Sequence, residues 1–184
     1  MPVFGEDELK KVLLELLEND FDIKKECQGT HRLYGNPVRI DFLLYPKDKL
    51  IKVGFEPCWF GIEAKHFLEE SKSEMARFLY QCITYQQSEF NIVGSLIRPE
   101  FVLAFSNKNQ ETIIKETDYW YSWYGMNQLA ALANVGWFLP KLDNFGTTIG
   151  WTMRFSTSNH FSRKGNDYKK LEHNIRRYVG NCSK

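Results

Sequence analysis

Two short stretches of this chain place charged side chains where apolar ones are expected. Asp41 stands in VRIDFLL, and Glu63 and Lys65 stand in WFGIEAKHF, so charges interrupt two runs that otherwise have the pattern of buried strands. Residues i and i+2 of a strand point to the same face, so Glu63 and Lys65 are predicted to share a face. Because burying an unpaired charge is costly, each of these groups needs a partner or a cation.

Two carboxylates on neighbouring strands are suited to holding a hard divalent cation. Mg²⁺ is bound by one or two carboxylates together with waters and substrate phosphate oxygens. If Asp41 and Glu63 lie on adjacent strands, they can share such an ion, and Lys65 can orient a water or stabilise charge on phosphorus. The structural alternative is an ion pair between Asp41 and Lys65, with Glu63 facing solvent on an edge strand.

This pattern resembles that of the PD-(D/E)XK nuclease superfamily, whose core has the element order α-β-β-β-α-β. The family carries its Asp on the second core strand and its (D/E)XK on the third, the places taken here by IDF and IEAK, although Ile40 replaces the family's Pro. The resemblance implies Mg²⁺ or Mn²⁺ held by Asp41, Glu63 and the main-chain carbonyl of Ala64, with Lys65 positioning the attacking water. It also implies a nucleic-acid substrate, with DNA expected, and a 5′-phosphate on the product.

A second motif lies in the predicted helix after the third strand. In LYQCITY, Gln81 and Tyr85 are spaced i and i+4 and therefore share a helical face. This spacing resembles the QxxxY signature of RecB-type nucleases and phage-type recombination exonucleases, and it implies that both residues contact the substrate or the metal ligands. Arg77 lies one turn earlier on that face and is expected to meet a phosphate.

An acidic residue on the first helix is a further expectation from the resemblance, because many family members carry there an additional metal ligand. Glu8, near the start of the helix, is the predicted residue. Glu15 lies two turns later, close to the same face, and remains an open alternative.

Hydrophobic periodicity predicts the elements that position these residues. Helices are predicted over 6–19, 68–90, 120–135 and 166–179, and strands over 21–29, 38–45, 59–67, 98–106 and 148–156. The predicted fold is α/β, with a restriction-endonuclease-like αβββαβ core in which helices flank a mixed central sheet. We expect a single nuclease domain over 1–184, with the core at about 6–106 and a C-terminal αβα extension at about 107–184.

The composition is that of an ordinary globular domain, with 184 residues, 43% of them hydrophobic and 26% charged. No apolar run approaches the roughly 18 residues of a membrane span, and the N-terminus has no signal-peptide pattern, so we expect a cytoplasmic protein without a membrane partner. The four cysteines contain no CxxC pair and indicate neither a zinc ribbon nor a disulfide framework.

Positive charge is concentrated near the C-terminus. Residues 154–184 contain eight Lys or Arg and two acidic residues, whereas the rest of the chain contains 16 basic and 21 acidic residues. The run SNHFSRKGNDYKK interleaves basic and aromatic residues, so it is the predicted DNA-holding surface. Its candidate contacts are His160, Arg163, Lys164, Lys169 and Lys170. A solvated helix with a chance excess of charge is the alternative for this run, and a catalytically inactive DNA-binding module on a nuclease fold is the alternative for the chain.

Overall fold

The computed structural model describes residues 5–68, 72–107, 120–155 and 158–170. Within these ranges the chain forms four helices and a sheet of ten strands. The helices are α1 (Glu6–Leu17), α2 (Asp48–Lys52), α3 (Lys72–Gln86) and α4 (Trp120–Leu132). The strands are β1 (Phe21–His31), β2 (Pro37–Pro46), β3 (Phe60–Lys65), β4 (Ser88–Ile92), β5 (Ser95–Ile97), β6 (Val102–Ser106), β7 (Val135–Leu142), β8 (Thr148–Phe155), β9 (Ser158–Lys164) and β10 (Asp167–Lys170).

The sheet is mixed. Its strand order is β10-β9-β8-β7-β6-β3-β2-β1-β4-β5, with β3–β6 and β6–β7 parallel and the other neighbours antiparallel. The strand β3 is therefore an interior strand, between β2 and β6. A carboxylate on such a strand has no direct route to solvent along a sheet edge.

Helices cover both faces of the central strands. Leu13 and Leu17 of α1 pack with one set of strand side chains, and Leu79 of α3 packs with the other. The neighbouring residues Leu43 and Leu44 of β2 belong to opposite clusters and are both completely buried. This two-sided burial explains the continuous apolar run in β2, since each face of the strand meets a packed layer.

The C-terminal strands pack onto the same cluster as α1. The ring centroid of Trp151 in β8 is 5.7 Å from that of Phe21, and Phe161 in β9 is 4.9 Å from Phe55. Four strands separate β8 from β1 in the strand order, so the contact between Trp151 and Phe21 shows that the sheet curls and brings its C-terminal strands back to the first elements of the chain.

The predicted α/β class and mixed sheet are confirmed, but the sheet is larger than the core that was expected. The predicted terminal helix is wrong where the structure describes it, because residues 167–170 form β10 and pair with β9. Gly165, with a φ of 58°, lies in the tight turn between these strands. The remaining residues of that predicted helix, 171–179, lie outside the described ranges.

Other strands were not predicted. The helix predicted over 68–90 ends at Gln86 and is followed by the β4–β5 hairpin. The hairpin turn contains Val93 and Gly94, with φ values of 50° and 81°. Two consecutive positive φ angles are the requirement of a type I′ turn. In IVGS the glycine favours such a turn, whereas Val is an unusual residue for it. The strands β7 and β9 also went unpredicted.

Candidate active site

Asp41 and Glu63 meet where β2 and β3 separate. The two strands pair only from Phe42–Ile62 to Leu44–Phe60. Beyond that ladder the main-chain N–H of Asp41 donates to Glu63 Oε2 at 3.1 Å, and that of Ala64 donates to Asp41 Oδ2 at 2.9 Å. The carboxylates thus accept hydrogen bonds from main-chain groups that the opening ladder leaves unpaired, and this fixes both side chains relative to the sheet.

Helix α3 holds the other oxygen of Glu63. Gln81 Nε2 donates to Glu63 Oε1 at 2.8 Å, and the Tyr85 hydroxyl donates to the same oxygen at 3.3 Å. Gln81 Nε2 also lies 2.6 Å from the Tyr85 hydroxyl oxygen. The i, i+4 spacing predicted to put these two side chains on one face therefore brings both of them to one carboxylate oxygen.

Burial and like charge disfavour the ionised forms of the two carboxyls. Burial raises the pKa of Glu63 to about 8, with a further contribution from the nearby charge of Asp41. The pKa of Asp41 is also raised by burial, against the opposing hydrogen bonds from Lys10 and Ala64 N–H. Burial and the charge of Glu63 raise the pKa of Tyr85, so its hydroxyl stays protonated and can donate.

Helix α1 supplies a cation to this pair. Lys10 Nζ lies 2.5 Å from Asp41 Oδ1, and its side chain is only 19% exposed. Burial alone would lower the pKa of Lys10, but the hydrogen bond and charge of Asp41, together with the charges of Glu26 and Glu6, outweigh burial and raise it. Lys10 is therefore a charged ammonium that partly neutralises the two buried carboxylates.

The residue opposite Asp41 on β1 has an unusual backbone. Lys25 pairs with Phe42 and Cys27 pairs with Ile40, which leaves Glu26 facing Asp41 with a φ of 49°. A non-glycine residue in this left-handed region carries a modest strain. The bend turns the Glu26 carboxylate toward Arg39 Nε, 3.1 Å away, and toward Lys10 Nζ, 3.6 Å away.

Lys65 lies at the rim of the site. Its side chain is 49% exposed, and its Nζ lies 3.4 Å from Glu6 Oε2 of α1. The ion pairs of Asp41 and Lys65 are therefore made with α1, and Glu63 is buried on an interior strand. This geometry disagrees with the structural alternative of an Asp41–Lys65 pair and a solvent-facing Glu63.

An open groove of about 600 Å³ gives access to these groups, and its lining includes Lys10, Asp41, Glu63 and Lys65. A second groove of about 710 Å³ is lined by Arg77 and, like the first, by Lys65, Tyr80 and Gln81. The shared lining residues make the two grooves neighbours along the exposed side of α3. The predicted phosphate contact, Arg77, thus lies in a groove beside Lys65.

The first-helix acid that reaches the groove is Glu6. Glu8, the predicted residue, has its carboxylate at the start of the helix, where Oε2 accepts a hydrogen bond from Gly5 N–H at 3.3 Å. Glu15, the open alternative, is exposed. Capping of α1 accounts for the position of Glu8, because the free N–H groups of a helix N-terminus attract a carboxylate.

Two of the predicted nucleic-acid contacts have other surroundings. His160 is buried, with its ring against those of Phe101 and Phe155. Arg163 Nη1 is bound to the buried Asp20 Oδ2 at 2.7 Å. These two side chains are therefore not part of an exposed basic surface, and the prediction is corrected for them. Lys164, Lys169 and Lys170 are exposed on the β9–β10 hairpin.

The site contains two groups that the sequence reasoning missed, Glu6 and Lys10. A signal for Lys10 was present, since Lys10, Leu13 and Leu17 are spaced by three and four residues and so share the buried face of α1. A lysine on the core face of a helix needs an acidic partner, and Asp41 of the predicted site is such a partner.

The donor set suits a hard cation. In the part of the chain that the structure describes, no three His, Cys, Asp or Glu side chains form a group that could hold a metal ion. An ion at this site would therefore depend on the Asp41 and Glu63 carboxylates, main-chain oxygen and water, which is the ligand set that Mg²⁺ commonly takes. Burial is the largest cause of the raised pKa of both carboxyls, and the Lys10 ammonium offsets it only in part.

Comparisons of this chain with family models, curated proteins and solved structures find no match. Function is therefore inferred from the geometry and chemistry of the site. Among the described residues, no helix has both the length and the apolar character needed to cross a membrane.

Proposed function

We propose that this chain is a divalent-metal-dependent nuclease that hydrolyses phosphodiester bonds of DNA. The observation that carries the proposal is the buried Asp41–Glu63 pair, held by reciprocal carboxylate–main-chain hydrogen bonds at the base of an open groove with Lys65 at its rim. A purely structural role would not require two carboxyls to be buried side by side, because burial opposes their ionisation and raises the pKa of both.

The element order lends support from the fold. The elements α1, β1, β2, β3, α3 and β6 follow one another with α2 and the β4–β5 hairpin inserted, and β1, β2, β3 and β6 are consecutive in the sheet. This order is the one expected of a PD-(D/E)XK core, with Asp41 on its second strand and Glu63 and Lys65 on its third. The additional strands on either side would be extensions of that core.

In the proposed enzyme, Asp41, Glu63 and the Ala64 carbonyl would hold Mg²⁺ or Mn²⁺. The ion would supply Lewis-acid stabilisation of phosphoryl oxygens and lower the pKa of a bound water. Gln81 and Tyr85 keep Glu63 in a fixed orientation through their bonds to Oε1. Charges that are in place before the reaction stabilise the transition state without reorganisation, so the fixed orientation of the Glu63 carboxylate favours catalysis.

Lys65 has the exposure and the donors to act on the reacting groups. Its ammonium carries three N–H donors, which can hold the attacking water and a non-bridging phosphate oxygen. In the hydrolysis, the attacking water releases one proton to solvent as its oxygen forms a bond to phosphorus, the bond from phosphorus to the leaving sugar oxygen breaks, and that oxygen takes up a proton from solvent. Glu6, 3.4 Å from Lys65 Nζ, positions the ammonium from the side of α1.

The test uses linear and covalently closed circular DNA, each incubated with Mg²⁺, with Mn²⁺ and with chelator, and a parallel RNA sample. We expect metal-dependent cleavage that falls about 100-fold or more in Lys65→Ala, as is typical when a charge-stabilising donor is removed. Lys52→Ala, which removes an exposed lysine of α2, is the matched control and should cleave normally. Cleavage of the circle identifies an endonuclease, and loss of linear DNA alone identifies end-processing.

Three results would contradict this proposal or part of it. Cleavage that persists in chelator would contradict the assigned metal dependence. Cleavage that is unchanged in Lys65→Ala would contradict the role assigned to Lys65. DNA binding without cleavage of any substrate would instead favour the inactive DNA-binding module.

A further inference from the structure

Lys10 holds a central position in the carboxylate cluster. Its Nζ lies 2.5 Å from Asp41 Oδ1, 3.5 Å from Glu6 Oε1 and 3.6 Å from Glu26 Oε1. One ammonium on α1 therefore faces three carboxylates from three different elements, and it lies within the groove that gives access to Asp41 and Glu63.

The two oxygens of Asp41 have different partners. Oδ2 accepts the Ala64 main-chain N–H at 2.9 Å, which ties it to β3. Oδ1 is bound by the Lys10 ammonium, so the oxygen not tied to the sheet is the one that a cation already covers. A second cation at the carboxylate pair would meet both the steric bulk and the like charge of this ammonium.

Lys10 also has alternative partners close at hand. Glu6 and Glu26 are each less buried than Asp41, with side chains 39% and 48% exposed, compared with 9%. Both acids already lie within ion-pair distance of Nζ. Because a lysine side chain is flexible and its ammonium is a compact point charge, Nζ can shift away from Asp41 and keep Glu6 and Glu26 as ionic partners.

From this geometry we infer that Lys10 is an internal competitor of the divalent cation. It neutralises the Asp41–Glu63 pair when no metal is bound, and it moves toward Glu6 and Glu26 when a metal occupies the pair. Lys10 would then set the metal affinity of the site without touching the substrate, as a positioning residue. This inference rests on the proposed function, since it requires that Asp41 and Glu63 bind a divalent cation.

The test is calorimetric titration of Mn²⁺ and Mg²⁺ into chelator-stripped protein, without nucleic acid. We expect Lys10→Met, which keeps a linear apolar side chain and removes the charge, to bind each ion at least about tenfold more tightly than the unsubstituted protein. Lys11→Met is the matched control, because Lys11 is the adjacent, exposed lysine of the same helix and its removal changes net charge equally. It should leave both Kd values within about twofold.

A second experiment measures the thermal stability of the protein with and without metal. Thermal unfolding in chelator should show a lower Tm for Lys10→Met, because the carboxylate pair loses its counter-ion, and saturating Mn²⁺ should raise its Tm more than that of the unsubstituted protein. Lys10→Gln, which keeps a hydrogen-bond donor, is measured in parallel in case the methionine variant does not fold, and the same tighter metal binding is expected of it.

The outcomes separate the two proposals. Unchanged or weaker metal binding in both Lys10 variants, beside measurable binding by the unsubstituted protein, would overturn the role of Lys10 and leave the metal site intact. Absence of divalent binding in the unsubstituted protein and in both variants would remove the metal site, and with it both proposals.

Discussion

Glu63 links the chemistry of the site to the stability of the fold. Its carboxyl is buried on an interior strand, and every hydrogen bond described for it comes from groups on β2 and α3. Burial, reinforced by the charge of Asp41, still raises its pKa to about 8. Hydrogen bonds from neutral donors thus do not offset the loss of solvation of the ionised Glu63 carboxylate. A bound cation would supply the electrostatic stabilisation that these hydrogen bonds do not provide.

This raised pKa predicts a pH dependence in the absence of metal. The folded protein holds a proton on Glu63 up to about pH 8, whereas the unfolded chain releases it near the ordinary value of 4.5. The stabilising contribution of this protonation is fully present below pH 4.5 and is lost progressively as pH rises toward 8, because the unfolded state binds fewer protons there. We expect the free energy of unfolding in chelator to fall across this window by an amount on the order of a few kcal/mol.

Urea unfolding in chelator between pH 5 and pH 8.5 measures this dependence. Glu63→Gln, which cannot ionise, should show a flatter profile and be more stable than the unsubstituted protein at pH 8.5. Glu15→Gln, on the exposed face of α1, is the control and should retain the original slope. A slope that is identical in Glu63→Gln would show that this carboxyl does not titrate in the window, and the origin of the slope would lie elsewhere.

At the scale of elements, helix α3 has two faces with different tasks. Leu79 and Cys82 are buried against the sheet, whereas Arg77 and Gln81 are exposed and line the grooves. Tyr85 is buried yet reaches Glu63 with its hydroxyl. The helix therefore packs on the sheet with one face and presents polar groups to the candidate active site with the other, so substitutions on the two faces should separate stability from binding.

Arg77→Ala is predicted to weaken DNA binding without destabilising the protein. If a strand of nucleic acid follows the groove past Lys65, the Arg77 guanidinium meets a phosphate, and its removal should reduce affinity several-fold and lower the salt dependence by about one counter-ion. Fluorescence anisotropy with labelled DNA in chelator, over a range of salt concentrations, measures both quantities while preventing cleavage.

Lys52→Ala removes one positive charge elsewhere on the surface and controls for the net-charge effect in this experiment. Leu79→Ala gives the converse comparison, with a loss of roughly 2–5 kcal/mol of stability from the buried face of the same helix. An affinity and a salt slope in Arg77→Ala equal to those of Lys52→Ala would exclude a specific phosphate contact at this position.

At the scale of the whole molecule, Asp20 connects the turn before β1 to the C-terminal strands. Its side chain is fully buried and accepts hydrogen bonds from Trp151 Nε1 at 3.1 Å, Arg163 Nη1 at 2.7 Å and the Tyr168 hydroxyl at 2.8 Å. Lys49 Nζ of α2 lies 2.8 Å from it as well. One carboxylate in the turn before β1 thus connects α2 with β8, β9 and β10.

Asp20→Asn is predicted to destabilise the protein by roughly 3–5 kcal/mol, because it leaves the partly buried Arg163 without its anion and disturbs three other bonds. Urea unfolding followed by tryptophan fluorescence measures the loss. The control is Asp22→Asn, an exposed neighbour two residues along, which should change stability by less than about 0.5 kcal/mol. A similarly small effect of Asp20→Asn would mean that the C-terminal strands are held by their apolar contacts alone.

Local pattern was sufficient for much of this protein. The periodicities of α1, β2, β3 and α3 each lie within a single segment, and so do the spacings that put Asp41, Glu63, Lys65, Gln81 and Tyr85 on those segments. Once these elements were assigned, the charges in otherwise apolar strands marked the site, because buried charges require partners regardless of the rest of the fold.

Tertiary structure alone decided which neighbours these residues have. The rotation of α1 about its axis brings Lys10 and Glu6 to Asp41 and Lys65 and leaves Glu8 at the helix terminus, and that rotation is set by how Leu13 and Leu17 pack on the sheet. The C-terminal run forms the β9–β10 hairpin, and its Arg163 and Tyr168 side chains bind Asp20, more than 140 positions earlier in the chain. Contacts between such distant segments depend on the assembled sheet, and no local window of sequence contains them.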